Sequence, residues 1–281
     1  MKILLASVLM FVSAVCAADT IVNNSNKASP ATVLAKSFEK AVGEGKIEFF
    51  QAGSCEEAEQ KFSSTTNAVM TYNVDVGIAA LTKKLNCPLK ATADNTVFIG
   101  KSYMKVCSSA KTPFVQSVEK AKTFGVASVA LSKGLIADYG TISPGIKGVP
   151  YGGSKDVLMA VVAGDIDVGF IGVGVADPAI EQGQIVCTLS TDPKRDDYIG
   201  KKYTKMKYPA YNITSIFYTN NTDKAAVAKL QKSTDDPEFQ AFLRKSGFGY
   251  VKNKNITAED VADVQKHISD VYNLYWKESD K

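Results

Sequence analysis

Two hydrophobic periods alternate along this chain of 281 residues, and together they predict an α/β protein. Short runs rich in β-branched and aromatic residues predict buried strands, as at 68–71 and 166–171. Elsewhere apolar residues recur three or four positions apart, which predicts amphipathic helices. The last such helix opens at Thr257 and Asp260, and its apolar stripe consists of Val261, Val264, Ile268, Val271 and Tyr275.

Residues 149–170 (VPYGGSKDVLMAVVAGDIDVGF) have the pattern of a turn, a helix and a strand in immediate succession. Gly152 and Gly153 allow the backbone to approach a ligand, and Ser154 is expected to be the N-cap of the helix. Gly164 is expected to end it. Unpaired amides and the positive end of the helix dipole point toward such a turn, so the segment predicts a site for an anion. An ordinary connection between a strand and a helix is the alternative.

A polar loop near the start of the chain predicts a second junction of this kind. A short strand at 19–22 precedes the loop at 23–27. A helix follows, with Ser29 as its N-cap and Pro30 at its first position. The asparagine and serine side chains of this loop could contact a ligand through amides and hydroxyls.

A third junction joins a strand at 124–128 to a helix at about 131–139. Lys133, near the start of that helix, could balance a ligand carboxylate, although a solvated lysine is the alternative. Ligands of open α/β sheets bind beyond the carboxyl ends of strands. Thr71 and Asn73, at the end of another buried strand, are therefore candidates for the wall of a cleft.

The start of the chain predicts export. Residues 1–18 contain Lys2, an apolar run and then small residues, which is the pattern of a secretory signal peptide. The run is too short to span a membrane. Acylation of Cys16 is a weaker alternative, because Val15 stands where a small residue is expected. We therefore expect a periplasmic protein.

Charge and cysteine content narrow the function further. The net charge is +4, or about +3 without Lys2, and the charges are mixed along the chain, which argues against nucleic-acid binding. Two disulfides are expected in an exported protein from the four remaining cysteines, with three pairings open. A metal site is the alternative, but there is no Cys-x-x-Cys motif and only one histidine. The four cysteines are Cys55, Cys87, Cys107 and Cys187.

Groups that could support catalysis are scarce. His267 is the only histidine, and its place on the flank of the last helix predicts a surface residue. No serine or cysteine beside it suggests a nucleophile, so we expect no enzyme and no cofactor. Arg195 and Arg244 are the only arginines, which disfavours a ligand site built on an arginine clamp.

The segment at 149–170 resembles the substrate-binding proteins of tripartite tricarboxylate transporters, also called Bug proteins. The family pattern is V-P-Y-x-G-G, a short helix and then G-x-[VI]-D before a strand. Further similarity lies at 179–183 (AIEQG) and 186–195 (VCTLSTDPKR), so the resemblance is strong from about 148 to 195. The residues that match the first pattern are Val149, Pro150, Tyr151, Gly153, Gly164, Ile166 and Asp167.

The resemblance implies a two-lobed, type II periplasmic-binding-protein fold with the ligand cleft between the lobes. In that family two crossover strands join the lobes, and the strand patterns at 96–106 and 211–219 are expected to pair in this role. Gly100 and Lys101 interrupt the first pattern. Domain one is expected at 19–99 and 216–281, and domain two at 100–215.

The function implied is an exported solute receptor. It would close on a small organic carboxylate and deliver it to the subunits of a membrane permease, acting as a monomer. A periplasmic sensor subunit for a receptor kinase is the alternative, and an exported enzyme is a poorer one. The expected ligand-binding residues are Asn24, Ser25, Asn26, Lys27, Ser29, Thr71, Asn73, Ser128, Lys133, Tyr151, Gly152, Gly153, Ser154 and Gly172.

Overall fold

A computed structural model describes residues 18–25, 27, 29–44, 46–83, 85–112, 118–127, 129–250 and 256–277. The signal peptide expected at 1–18 lies almost wholly outside these residues. Within them, no helix is long and apolar enough to cross a membrane.

The described residues form ten strands, numbered β1 to β10 in chain order. Their bounds are Thr20–Asn23, Glu48–Gln51, Ala68–Asn73, Thr96–Ser109, Thr123–Val126, Lys147–Pro150, Val168–Gly172, Ile185–Ser190, Asn212–Thr219 and Phe248–Tyr250.

The same residues form ten α-helices, numbered α1 to α10. Their bounds are Pro30–Gly43, Cys55–Ser64, Val74–Lys83, Val129–Gly140, Ser154–Ala163, Val173–Glu181, Ile199–Lys202, Lys224–Ser233, Pro237–Lys245 and Ala258–Tyr275. The α/β character predicted from the hydrophobic pattern is confirmed.

The strands form two groups that share β4. The first group has the order β2-β1-β3-β9-β4 and the second the order β4-β7-β5-β6, while β8 and β10 also pair with β4. Strands β1 to β3 are parallel to one another, as are β5 to β7. Strand β4 pairs with β9 as far as Tyr103 and with β7 from Met104 onward. A single strand therefore belongs to both groups.

Strand β4 confirms the long strand predicted at 96–106, and β9 is its antiparallel partner as expected. The interruption expected at Gly100 and Lys101 is absent, and β4 passes through both residues. The reason is packing. A Cβ atom at Gly100 would lie 2.5 Å from Cζ of Phe98 and 3.4 Å from Cδ1 of Phe248, so the glycine makes room for two rings beside the strand.

Each group of strands has an aromatic core of its own. In the first group, the rings of Phe38, Phe98, Phe217 and Phe239 lie with centroids 5.1–5.7 Å apart and join α1 and α9 to the sheet. In the second, Phe124 stacks on Tyr139 of α4 at 4.3 Å, and Phe170 meets both rings edge-on. The helices are thereby positioned on both groups by packing.

A buried carboxylate joins α4 to α10 and to the segment that precedes β9. Asp138 accepts hydrogen bonds from the backbone amides of Lys207 and Tyr208 at 2.9 and 2.8 Å, and from the hydroxyl of Tyr275 at 2.6 Å. Burial, reinforced by Asp138, raises the pKa of Tyr275, so this hydroxyl stays protonated as a donor. Gly134 allows the close approach, since a Cβ there would lie 2.3 Å from the Tyr275 ring.

The surface position expected for His267 is wrong. Its Nδ1 contacts the hydroxyl of Tyr208, and its Nε2 is buried. Burial lowers the pKa of His267 to about 4, so the ring is neutral at pH 7. The segment that precedes β9 packs against this flank of α10. The sequence of the helix by itself does not indicate that contact.

The two disulfides expected from the cysteine content are present, and strand pairing explains one of them. Cys107 and Cys187 are register partners on β4 and β8, and they form one bridge. Cys55, at the start of α2, bonds to Cys87. The Nδ2 atom of Asn24 lies 3.6 Å from the sulfur of Cys87, so the second bridge supports the loop after β1.

We predict that the mature, denatured protein exposes no reactive thiol until it is reduced, and four afterwards. Replacing either pair by serine should lower the free energy of unfolding by about 2–4 kcal/mol, because the unfolded chain loses a cross-link. Thiol titration and urea unfolding measure the two quantities. Four reactive thiols before reduction would contradict both bridges.

Candidate ligand-binding site

A cleft of about 510 Å³ lies where elements of the two groups of strands face each other. One side comes from α1, α9 and β10, and the other from the first residues of α5 and α6. Ser102 of β4 and Ile213 of β9 also contribute. The lining residues are Lys27, Val33, Ser102, Gly153, Ser154, Lys155, Asp156, Gly172, Gly174, Val175, Ile213, Phe242, Lys245, Ser246 and Phe248.

The turn between β6 and α5 is the glycine turn singled out in the sequence. Gly153 is the N-cap of α5, with extended backbone at φ −174°, and Ser154 is the first helical residue. The N-cap role expected for Ser154 is therefore wrong by one position. The end of α5 is as predicted, because Gly164 adopts φ +85° and its amide bonds back to the last turn.

Ser154 has a different role, which joins the starts of two helices. Its side chain is buried, and its Oγ accepts a hydrogen bond from the amide of Gly172 at 3.1 Å. Gly172 ends β7 and is the N-cap of α6. The amino ends of α5 and α6 thus lie side by side at the cleft, and each contributes about half a positive charge.

Three lysines add full charges to the cleft. Lys27 follows β1, Lys155 lies in the first turn of α5, and Lys245 is the last residue of α9. All three side chains are exposed. None forms a salt bridge with another described residue, so their charges are available to a ligand.

Of these lysines, only Lys27 was expected from the sequence. Lys155 directly follows the glycine turn and Ser154, and this adjacency is the sequence signal that could identify it. Nothing in the sequence around Lys245 indicates a ligand-binding residue, because a lysine in the last turn of a helix is common. It reaches the cleft only because α9 packs against α1.

A buried amide holds the loop after β1. The Nδ2 of Asn23 donates to Oγ1 of Thr32 and to Oε1 of Gln51, both at 2.9 Å. Its Oδ1 accepts a hydrogen bond from the hydroxyl of Thr71 at 2.7 Å. Thr71 is fully buried, so the structure places it beneath the loop, where it orients Asn23.

Asn73 has a similar supporting position. Its Nδ2 donates to Oγ of Ser25 at 2.9 Å, and its Oδ1 accepts from the amide of Val76 at 2.9 Å in the first turn of α3. The side chain is buried. Asn73 therefore fixes both the loop after β1 and the start of α3, and contact with a ligand stays a prediction for it and for Thr71.

The other expected residues fall into four groups. Asn24 and Ser25 line a second depression of about 630 Å³ with Gln51, Gly53 and Glu57, and Lys27 lines both. Ser29 caps α1 as predicted, accepting from the amide of Ala31 at 3.1 Å. Tyr151 and Gly152 precede α5, but neither is among the described residues that line the cleft. Asn26, Ser128 and the side chain of Lys133 lie outside the described residues.

No family model matches the chain, and no curated protein sequence matches it. Solved structures do match. MatC from Rhodopseudomonas palustris, solved with bound malate, is 18% identical, with 92% of this chain and 98% of that chain covered and a TM-score of 0.62. The periplasmic binding protein BugD is 16% identical over 91% and 96%, with a TM-score of 0.64. Rpa4515 of R. palustris, solved with adipate, is 17% identical over 92% and 96%, with a TM-score of 0.64.

These similarities show the fold. The protein has the two-lobed α/β fold of periplasmic binding proteins, which confirms the predicted fold class. The resemblance predicted from residues 148–195 is confirmed at the level of that fold.

We predict that Gly174→Ala lowers the free energy of unfolding by about 1–3 kcal/mol, because overpacking forces the backbone to shift. A Cβ at Gly174 would lie 2.6 Å from Cα of Ser246, which joins α6 to the turn after α9. Gly140→Ala is the matched control, since a Cβ there meets no atom within 4 Å. Urea unfolding measures both variants, and equal stabilities would contradict a tight contact at Ser246.

We also predict that Ser154→Ala increases amide hydrogen exchange at Gly172 and destabilises the protein by about 1–3 kcal/mol. The reason is that a buried amide loses its acceptor. Exchange measured by NMR reports the amide directly. Unchanged protection of Gly172 would show that Ser154 does not hold the two helix starts together.

Proposed function

We propose that this protein is an exported solute receptor that closes on a small organic carboxylate and delivers it to a membrane permease of the tripartite tricarboxylate type. The observation that carries the proposal is the charge of the cleft. Three lysines without salt bridges to described residues and the amino ends of two helices face one space, and among the described lining residues only Asp156 carries a negative charge. That arrangement favours an anion.

The size and chemistry of the cleft suit a dicarboxylate. About 510 Å³ is enough for a small ligand. Lys27 and Lys245 lie on one side and Lys155 on the other, so charges on both sides can face the two ends of one molecule. MatC and Rpa4515 were solved with malate and adipate, both dicarboxylates, and we extend that ligand class to this chain.

Neutral donors supply the rest of the recognition in this proposal. Ser154 accepts from Gly172 through its oxygen, so its own hydroxyl hydrogen remains able to donate toward the cleft that it lines. Phe242, Val33 and Ile213 provide apolar surface for the carbon chain between the carboxylates. Binding without chemistry accords with the similarity to BugD, which is a periplasmic binding protein.

We propose lobes at 19–99 with 216–281, and at 100–215. The exchange of partners along β4, from β9 at Tyr103 to β7 at Met104, supports a hinge near that boundary. The close approach of Gly174 in α6 to Ser246 after α9 supports closure of the two proposed lobes on each other along α6. A periplasmic location and action as a monomer belong to the same proposal.

We predict that malate, succinate, adipate or citrate raises the melting temperature of the mature protein, whereas glucose and spermidine do not. A ligand at 100 times its Kd adds about 2.7 kcal/mol to the free energy of unfolding. Replacing Lys27, Lys155 and Lys245 together by glutamine should weaken binding and reduce its dependence on salt, because charge attraction is screened.

Thermal-shift assays and calorimetry at several salt concentrations measure these effects. Lys147→Gln is the control, since this exposed lysine lies at the start of β6, away from the cleft. A protein stabilised only by glucose or spermidine would rule out an anion receptor.

A further inference from the structure

The two disulfides differ in what lies next to them. Cys107 and Cys187 join β4 to β8 in a core that they share with α5 and α6. Cys55 and Cys87 join the start of α2 to the segment after α3, beside the loop that follows β1. That loop carries Lys27, which lines the cleft. The second bridge is therefore the one placed to influence the ligand site.

Two residues of this loop are held by the sheet beneath it. Asn23 is fixed by the network of buried hydrogen bonds described above. The carbonyl of Ser25 accepts a hydrogen bond from Nε2 of Gln51 on β2 at 2.8 Å, and its Oγ accepts one from Asn73 on β3 at 2.9 Å. Both loop residues are buried. The disulfide plays no part in these contacts.

Asn24, between these two residues, is held by the bridge instead. Its Nδ2 lies 3.6 Å from Sγ of Cys87 and 3.9 Å from Sγ of Cys55. Its side chain has no other hydrogen-bond partner among the described residues. The position of this side chain therefore depends on the two sulfurs.

The bridge is itself well supported. Cys55 and Cys87 are both buried, at 8% and 1% exposure. The carbonyl of Cys87 accepts a hydrogen bond from the hydroxyl of Tyr72 at 3.0 Å. Tyr72 belongs to β3, and its neighbours on that strand hold the residues on either side of Asn24. Strand β3 thus supports the loop both directly and through the disulfide.

We propose that the Cys55–Cys87 disulfide is a positioning element of the ligand site, which holds Asn24 and thereby sets the place from which Lys27 reaches a bound carboxylate. This inference rests on the proposed function and adds a determinant of affinity to it. Lys27 lies three residues after Asn24 and two before Ser29, the N-cap of α1. So short a connection between two held residues has little conformational freedom, and releasing one of them increases it.

The test compares two variants of the mature protein, with malate, succinate, adipate and citrate as probes. The bridge variant is Cys55→Ser with Cys87→Ser, and the control variant is Cys107→Ser with Cys187→Ser. Calorimetry is carried out at a temperature at which circular dichroism shows both variants to be fully folded. The bridge variant should bind the tightest probe about 5- to 10-fold more weakly than the wild type, because the ligand must then order the loop. The control variant should bind within about two-fold of the wild type.

The control variant is a stringent one. It lacks a bridge between cysteines 80 residues apart, whereas the bridge variant lacks one between cysteines 32 residues apart. The chain-entropy model therefore predicts that the control variant loses at least as much stability. A loss of affinity that merely followed stability would appear in the control variant as well.

A double-mutant cycle with Lys27→Gln separates positioning from a general structural effect. Lys27→Gln should raise the Kd by the same factor in the wild type and in the control variant. In the bridge variant the factor should be smaller, because a lysine that is no longer positioned contributes less to binding.

Asn24→Ala provides a second route to the same result with both disulfides intact. It removes the amide that contacts the sulfurs, so it should weaken binding and also reduce the effect of Lys27→Gln. If Asn24 contacted the ligand without positioning Lys27, the effects of the two substitutions would instead be additive.

The inference would be overturned if the bridge variant bound within about two-fold of the wild type. Equal losses of affinity in the two disulfide variants, or an effect of Lys27→Gln that is the same in every background, would also overturn it. If the wild-type protein binds none of the four probes, the proposed function is wrong and this inference falls with it. If the wild type and the bridge variant bind a probe equally well, only the inference is wrong.

Discussion

The backbone hydrogen bonding of β4 is the constraint on which the rest of the structure depends. This strand of 14 residues pairs with β9 and β10 in its first half and with β7 and β8 in its second half. Every other strand is tied to one group only, directly or through its neighbours. The two groups therefore meet along β4, and the cleft opens beside the residue pair where it exchanges partners.

The cleft follows from the direction of the parallel strands on either side of that boundary. Helices α1 and α3 follow strands β1 and β3, and helices α5 and α6 follow strands β6 and β7, either directly or after a short connection. Helix amino ends therefore gather near one region of the fold. Such ends carry unpaired amides and partial positive charge, so the topology makes this region electropositive before any charged side chain is added.

Polar side chains beneath the cleft complete the site in two ways. Asn23, Thr71 and Asn73 are satisfied by one another, by neighbouring side chains and by backbone groups, and they hold the loop after β1 in place. The Oγ of Ser154 accepts a hydrogen bond from the amide of Gly172, the N-cap of the neighbouring helix. The hydroxyl hydrogen of Ser154 can therefore be donated to another group. The lysines lie further out, where water lowers the cost of keeping them charged. Rigid neutral donors inside and cations at the rim suit a small anion without an arginine clamp.

The amino-acid sequence by itself determined the features that depend on residues close together in the chain. The caps at Ser29 and Thr257, the turn at Gly164 and the apolar stripe of α10 were all predictable, because each depends on residues close together in the chain. The glycine turn before α5 and the helix that follows it were predictable for the same reason.

Only the tertiary structure decided which distant residues meet. The disulfide pairing, the partial burial of His267, the link from Ser154 to Gly172, and the arrival of Lys245 at the cleft all depend on strand order and helix packing. The physical reason is that a local sequence pattern indicates which interactions a residue can make. Which distant residue becomes its partner depends on how β4 brings the two groups of strands together.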